Sequence, residues 1–411
     1  MAISYAGTPQ SFVDSLYGSA ATSTGIKSLV NQVIDRQYHK QAQAKTFFQN
    51  SGLIGSDLYA EGNFAETKPG YPVIRKTELQ RESGDTIKMG LQTNLATTYS
   101  LGVVGATQLV DAEVGWDFYH LYVKIEEWRQ GVRTDGGMNI QRNPYKPLEE
   151  QEAELLSDWT AQTFDNEILY ALWCGHALHT LRVHGTANML ASANLNTLFG
   201  NDLSLDTTRT IADIRGSQED NVNALTFEIG KTYCEQNNFD PINIAGGQYW
   251  VALISPKAEL MLLQDDRFRA AMLQAQVRGN ENPLFKRASF LYNNVIILNY
   301  DKVRSLLGGY NPAISVSGGT VTMSAYTGIG GGVAYTDLHQ TMFLGANAVC
   351  LAESTTKMAN RVEDDYGHII GRATSSIYGV RRADWRNETT AESSAPTLNQ
   401  GSLVIVNTLV F

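Results

Sequence analysis

The sequence predicts an α+β protein, with helices and strands mixed along the chain, on three observations. The first is one long helix at 147–173. Pro147 stands at its first position, Glu149, Glu150 and Glu152 crowd its first turns, and Leu156, Thr160, Phe164, Ile168 and Leu172 continue as a stripe at four-residue steps. Proline is harmless in a first turn, and acid there suits the helix dipole. At 1.5 Å per residue such a helix is roughly 40 Å long, about the span of a domain. The second observation is alternation: Tyr119, Leu121, Val123 and Ile125 take turns with His120, Tyr122, Lys124 and Glu126, as a half-buried strand does. The third is Leu403–Phe411, a nearly continuous apolar run that reads as a strand tied into a sheet.

The remaining elements follow in order. Residues 1–25 are rich in Ser, Thr, Gly and Ala, too polar to order themselves, and are expected to lie as an arm on another surface. A helix is expected at 26–48, ended by Gly52. An extended ribbon is expected at 71–91, with Ser83-Gly84-Asp85 as its turn and Arg75, Lys76, Glu78, Arg81 and Glu82 on its first limb. A two-stranded hairpin is at best marginal in water, so this ribbon should rest on a neighbouring surface, such as another subunit. Further along, helix is expected at 221–237, buried strand at 248–254, helices at 256–263 and 266–277, strands within 290–299, and a Gly, Ser and Thr-rich loop or hairpin at 308–332. The stretch between Leu178 and Gly216 receives no assignment, and no internal repeat of fixed period occurs.

Composition excludes several function classes. A chain of 411 residues with formal net charge −10 is long enough for two or three domain-sized units. Its acidity opposes any affinity that comes from neutralising a phosphate backbone. The three cysteines, Cys174, Cys234 and Cys350, are widely spaced and odd in number, which argues against a disulfide framework and for a reducing compartment. Neither a basic-then-apolar signal segment nor a run of about eighteen apolar residues is present, so no membrane partner is expected.

Residues that might suggest chemistry do not converge. His176, His179 and His184 have metal-like spacing without a nearby fourth ligand, and read more readily as surface histidines at a helix C-terminus than as a metal site. Gly328-Ile-Gly-Gly-Gly332 lacks the Lys-Ser or Lys-Thr of a phosphate loop. The pairs Asp265-Asp266 and Asp364-Asp365 are adjacent, so their side chains point apart. Arg361, Arg372, Arg381, Arg382 and Arg386 lie among Glu363, Asp364, Asp365 and Asp384. Such mixed signs suit ion pairs, within the chain or between subunits, better than a nucleic-acid patch.

The order of blocks near the C-terminus carries a resemblance. Gly345-Ala-Asn-Ala-Val-Cys-Leu-Ala352, then Glu363-Asp-Asp-Tyr-Gly-His368, then Tyr378-Gly-Val-Arg-Arg-Ala-Asp-Trp385 resembles the closing part of the major capsid proteins of tailed bacteriophages, specifically the N4-like family. Glu113–Arg133 followed by Pro147-Leu-Glu-Glu150, and Tyr249–Lys257 with Leu260–Phe268 after it, are similar to the middle of that family. The resemblance covers the chain from about Tyr71 onward, with 175–220 matching poorly.

It implies the Hong Kong 97-type capsid fold: an N-terminal arm at 1–60, an extended loop at 61–110, a peripheral domain at 111–220 and 352–411 built on the spine helix 147–173, and an axial domain at 221–351. The implied function is self-assembly as pentamers and hexamers into the icosahedral head of a virion, assembled in the host bacterial cytoplasm. That head would enclose double-stranded DNA without sequence-specific binding. No enzyme activity or cofactor is implied. Contacts between subunits would fall at Arg75, Lys76, Glu78, Arg81, Glu82, Arg361, Asp364, Asp365, Arg381 and Arg382. Because arm-like text begins at Met1, a processed helical leader is not expected. A separate scaffolding protein would then be a partner, beside a portal and a decoration or cement protein. Two rival readings are an encapsulin-like compartment shell, which shares the fold, and a cytoplasmic metalloenzyme using His176, His179 and His184.

Overall fold

A computed structural model of the chain describes residues 46–56, 70–76, 86–92, 118–135, 148–175, 196–209, 213–214, 220–244, 247–274, 289–301, 313–317, 320–324, 338–364, 369–387, 398–399 and 401–408. Contacts divide it into two compact units. One comprises residues 1–51, 127–165 and 355–377, and the other 52–126, 166–354 and 378–411.

The second unit holds a seven-stranded sheet in the order β6 (Thr197–Phe199), β17 (Ser402–Thr408), β13 (Leu338–Leu344), β8 (Gly247–Ile254), β10 (Val295–Asn299), β9 (Ser289–Tyr292), with β7 (Ile242–Ile244) also on β8. Every residue of β17 is buried, which is why its text is apolar without alternation: a strand covered on both faces has no polar side to show. It runs antiparallel to β13, from Leu338 opposite Thr408 to Leu344 opposite Ser402, and parallel to β6. Strand β17 neighbours strands of 247–344, within the stretch expected as the axial domain, and Thr197–Phe199, from the stretch without an assignment, lies beyond it.

Helices cover this sheet. Helix α3 (Ala224–Gln236) begins at a capping box, with Asn223 and Thr226 exchanging side-chain and backbone hydrogen bonds at 3.2 Å. Its Phe227 packs on Phe343 of β13. Gly230 lies so near that a Cβ there would stand 2.3 Å from the Phe343 ring. Helix α4 (Pro256–Gln264) starts with proline behind the cap Ser255, and α5 (Asp266–Gln274) follows at once. Asp265 serves both α3 and α5, accepting from the Ala224 N–H at 2.7 Å and the Arg267 N–H at 3.1 Å. Between β9 and β10, Asn293 and Asn294 both take positive φ, the turn that matches the twist of a two-residue hairpin. The expected hairpin within 308–332 is β11 (Ala313–Ser317) paired with β12 (Thr320–Ser324).

Among the described residues, the two limbs of the expected ribbon do not pair with each other. Strand β2 (Val73–Lys76) lies in a five-stranded sheet, in the order β1 (Ile54–Ser56), β2, β14 (Val349–Asp364), β15 (Ile369–Arg382), β5 (Glu126–Asp135). Strand β3 (Thr86–Gln92) joins β4 (Phe118–Lys124) and β16 (Arg386–Asn387) in a sheet of three. The described parts of both limbs, 73–76 and 86–92, find cover in their own chain. Val73 is fully buried, and Ile87 and Met89 cluster with Leu121, Val123, Cys350, Ala352, Ala383 and Trp385. The alternation of Ile87 and Met89 supplies the apolar face that the charged first limb lacks. The turn at 83–85 lies outside the described residues, as does the expected helix 26–48 up to Lys45; beyond it, α1 (Phe47–Asn50) ends before Gly52 at φ 68°.

The long helix is α2 (Leu148–Cys174), as expected. Leu156, Thr160, Ile168 and Leu172 are buried, but Phe164 is only half-buried and Asp165 takes the inward position. In the first unit, Asp165 accepts from the N–H groups of Phe47 at 2.9 Å and Phe48 at 3.5 Å. Trp128 of β5 meets Trp159 edge to face at 4.7 Å, and Arg372 of β15 lies 3.6 Å from Glu152.

Candidate functional site

The most connected polar group in the second unit is a buried joint around Arg382. A helix ends with carbonyls that no later turn can satisfy, and α2 ends among buried neighbours. Gly175 closes it at φ 84°, donating to Ala171 O at 2.8 Å. Arg382, fully buried, supplies what remains: its Nη1 donates to Leu172 O at 3.0 Å and Trp173 O at 3.1 Å, and its backbone N–H to Gly175 O at 3.1 Å. The rest of the guanidinium forks onto Asp384, Nε to Oδ1 at 2.9 Å and Nη2 to Oδ2 at 2.8 Å. This two-point geometry is specific to arginine.

The network continues from Asp384. Asn399 donates to Asp384 Oδ1 at 3.0 Å, and its own Oδ1 accepts from Gly401 N and Ser402 N at 3.1 Å, which fixes the entry into β17. Asn196 donates to Asn399 O at 2.8 Å and accepts from the Tyr233 hydroxyl of α3 at 3.0 Å. One chain of hydrogen bonds thus ties the end of α2, the start of β17 and helix α3. A second polar cluster secures the far end of β17, where Asn407 donates to Asn201 Oδ1 at 2.9 Å and Thr408 to Asn221 Oδ1 at 2.7 Å. These groups are acceptors and donors in fixed structural roles, and none is a nucleophile beside a base.

One histidine stands apart. His339 of β13 is fully buried with Nδ1 3.2 Å from Ser255 Oγ. Burial without a charged partner pushes its pKa down to about 3, so the ring is neutral in the fold.

The residues expected at contacts between subunits divide. Arg75 pairs with Glu353 of its own chain at 2.5 Å, and Lys76 sits in the ladder opposite Ala352. Arg381 is buried and donates to Tyr122 O, and Arg382 belongs to the joint. Arg75, Arg381 and Arg382 thus each have a partner within the same chain, Arg381 and Arg382 as buried groups and Arg75 as a half-buried one. Arg361 and Asp364 lie on β14, and Glu78, Arg81, Glu82 and Asp365 lie outside the described residues, as do His176, His179, His184 and the glycine run 328–332. Among the described residues no group of three His, Cys, Asp or Glu side chains is placed to hold a metal, and no helix is long and apolar enough to cross a membrane. Sequence reasoning missed Asn196, Tyr233 and Asn399; the Asn399-Gln-Gly-Ser402 text directly before an apolar strand was the available signal for the last.

A family model described as Phage capsid protein matches residues 38–410. The chain belongs to this phage capsid protein family, and its function is that of a major capsid protein, a structural component of the bacteriophage virion. No curated protein is similar enough in sequence to count as a match. Among solved structures, the Cyanophage Pam1 capsid asymmetric unit aligns at TM-score 0.63 and 17% identity, over 82% of this chain and 88% of that one. The capsid of Ralstonia phage GP4 aligns at TM-score 0.59 and 17% identity, over 88% and 91%. The acidic stable capsid of Helicobacter pylori bacteriophage KHP30 gives 0.56 and 11%, over 87% and 91%. The fold is therefore a phage capsid fold of mixed helices and strands.

Proposed function

We propose that copies of this chain assemble as pentamers and hexamers into a closed icosahedral shell around double-stranded DNA, and that the chain does no chemistry of its own. The observation that carries this reading is the family match across 38–410. A heterologous contact repeated by rotation makes rings, and rings of two sizes close a shell. The acidic balance of the chain fits a wall that contains DNA without gripping it.

Within this reading the architecture is of the Hong Kong 97 type and the subfamily N4-like. The arm is 1–60, the extended loop 61–110, and the peripheral domain is built on the long helix. The axial domain of 221–351 gains Ser402–Thr408 and Thr197–Phe199, a change supported by their pairing with β13 and with each other. Contacts between subunits are assigned to Arg75, Lys76, Glu78, Arg81, Glu82, Arg361, Asp364, Asp365, Arg381 and Arg382. A scaffolding protein, a portal and a decoration protein complete the set of partners.

Negative-stain microscopy of the purified protein, alone and co-expressed with the scaffolding candidate, tests the proposal. Closed shells of uniform diameter are expected in at least one preparation. A protein that stays monomeric in both overturns it.

A further inference from the structure

We infer that β13 and β17 hold one buried water between them, bound by His339, Thr341 and Asn407. The site lies inside one subunit, so it does not depend on the shell reading above. In the ladder of these strands His339 lies opposite Asn407, and Thr341 opposite Ile405. Residues directly opposite share a face, and so do residues two apart on one strand, so His339, Thr341 and Asn407 line one face of the sheet. Phe343 and Leu403 continue that face, and Phe227 of α3 packs on it. All three polar residues are fully buried. Each nevertheless ends in an atom without a hydrogen-bond partner among the described residues: Nε2 of His339, Oγ1 of Thr341 and Oδ1 of Asn407. Leaving such groups unpaired is costly, and native proteins pair nearly all of them with protein or with ordered water.

The other bonds of these residues decide which atoms give a proton and which take one. Asn407 Nδ2 donates to Asn201 Oδ1 at 2.9 Å and to Asp220 O at 3.2 Å, which leaves its Oδ1 as a pure acceptor. His339 Nδ1 lies 3.2 Å from Ser255 Oγ, and that oxygen accepts from the Ala258 N–H at 3.4 Å as the cap of α4. The Ser255 hydrogen has no other acceptor among the described residues, so it goes to Nδ1 and the ring proton sits on Nε2. Nε2 is then a donor, Asn407 Oδ1 an acceptor, and the Thr341 hydroxyl serves as either. A water accepts from the first, donates to the second and bonds the third, the three bonds typical of a buried water. A cation is refused by the Nε2–H, and an anion by the Asn407 oxygen. The site also marks the register of β17, because a slip by one residue would set Val406 or Thr408 opposite His339 in place of Asn407.

Thr341→Val in the full chain tests the site by the sign of its effect. Valine keeps the branched shape and removes the hydroxyl. With the water in place, the folding equilibrium constant of the unassembled subunit, read by urea denaturation, should fall roughly two- to tenfold, the worth of one hydrogen bond. A hydroxyl with no partner would give the opposite result, because removing an unpaired buried group is favourable. A constant that rises or stays unchanged therefore overturns the proposal. The second measurement is direct: a density map of the folded chain, fine enough to show ordered water, should hold a peak within hydrogen-bonding distance of Nε2, Oγ1 and Oδ1. A map that shows other buried waters but none touching at least two of these atoms overturns the proposal as well.

Discussion

Replacing Arg382 by methionine should destabilise the subunit severely, and the structure sets the size. The guanidinium makes four side-chain hydrogen bonds, two to Asp384 and two to the carbonyls of Leu172 and Trp173. Methionine fills similar volume but makes none of them, leaving a carboxylate buried without its partner. Breaking a buried pair by removing one side costs about 3–5 kcal/mol, whereas replacing both sides by apolar residues is often nearly neutral. Removing the charge from Asp384 as well should therefore return much of the loss. The double variant Arg382→Met/Asp384→Leu is expected to retain only the cost of the orphaned helix carbonyls and of the Asn399 amide that loses its acceptor, roughly 1–3 kcal/mol. Urea denaturation of the unassembled subunit, followed by tryptophan fluorescence, measures both. A folded domain has only about 5–15 kcal/mol in total, so the single variant should lose a large fraction of its stability or fail to accumulate. A single variant within about 1 kcal/mol of wild type, the size of an ordinary surface change, would refute the assignment of Arg382 as the helix cap. So would a double variant less stable than the single one.

His339 should make the subunit sensitive to acid. Its folded pKa is lowered from 6.5 to about 3, so the unfolded chain takes up a proton below pH 6.5 that the fold refuses. Stability is complete above that pH and falls as pH drops toward 3, by up to about 1.4 kcal/mol per pH unit. Between pH 7 and pH 5 the wild type should lose about 2 kcal/mol more than His339→Gln in urea titrations, and equal losses would contradict the neutral buried ring. Along α2, Ile168→Ala should cost about 2–5 kcal/mol because the site is fully buried, and Phe164→Ala less, in matched thermal melts. The reverse order would place the helix face wrongly. Gly230→Ala should cost about 1–3 kcal/mol by overpacking against Phe343, and an unchanged melting temperature would show that the ring has room to move.

Much of this fold is legible in the sequence where one local signal decides the outcome. Proline and acids at the start of α2 fix its origin, and the apolar text of β17 announces a strand tied into a sheet. What the text hides is partnership. Val73–Lys76 and Thr86–Gln92 read as one ribbon because they are adjacent in sequence, yet their hydrogen-bond partners are Val349–Ala352 and Phe118–Lys124, far along the chain. The long strand Val349–Asp364 passes from apolar to mixed polar residues without alternation, so no period marks it. Thr197–Phe199 is too short to carry any period at all. The joint was half visible. Arg382 and Asp384 stand out as a charged pair, but charge alone does not say whether a partner belongs to the same chain, and only burial decides that. The guanidinium reaches carbonyls of residues more than two hundred positions earlier, a link that no local pattern encodes.

The position of β17 sets an order of events during synthesis. Its strand lies between β6 and β13, so until residues 402–408 have left the ribosome the large sheet is split, with β6 on one side and two open edges facing each other across a gap. Contacts this distant in sequence form slowly and leave apolar surface exposed while they wait. The large sheet therefore becomes continuous only when β17 slots between two strands that precede it in the chain.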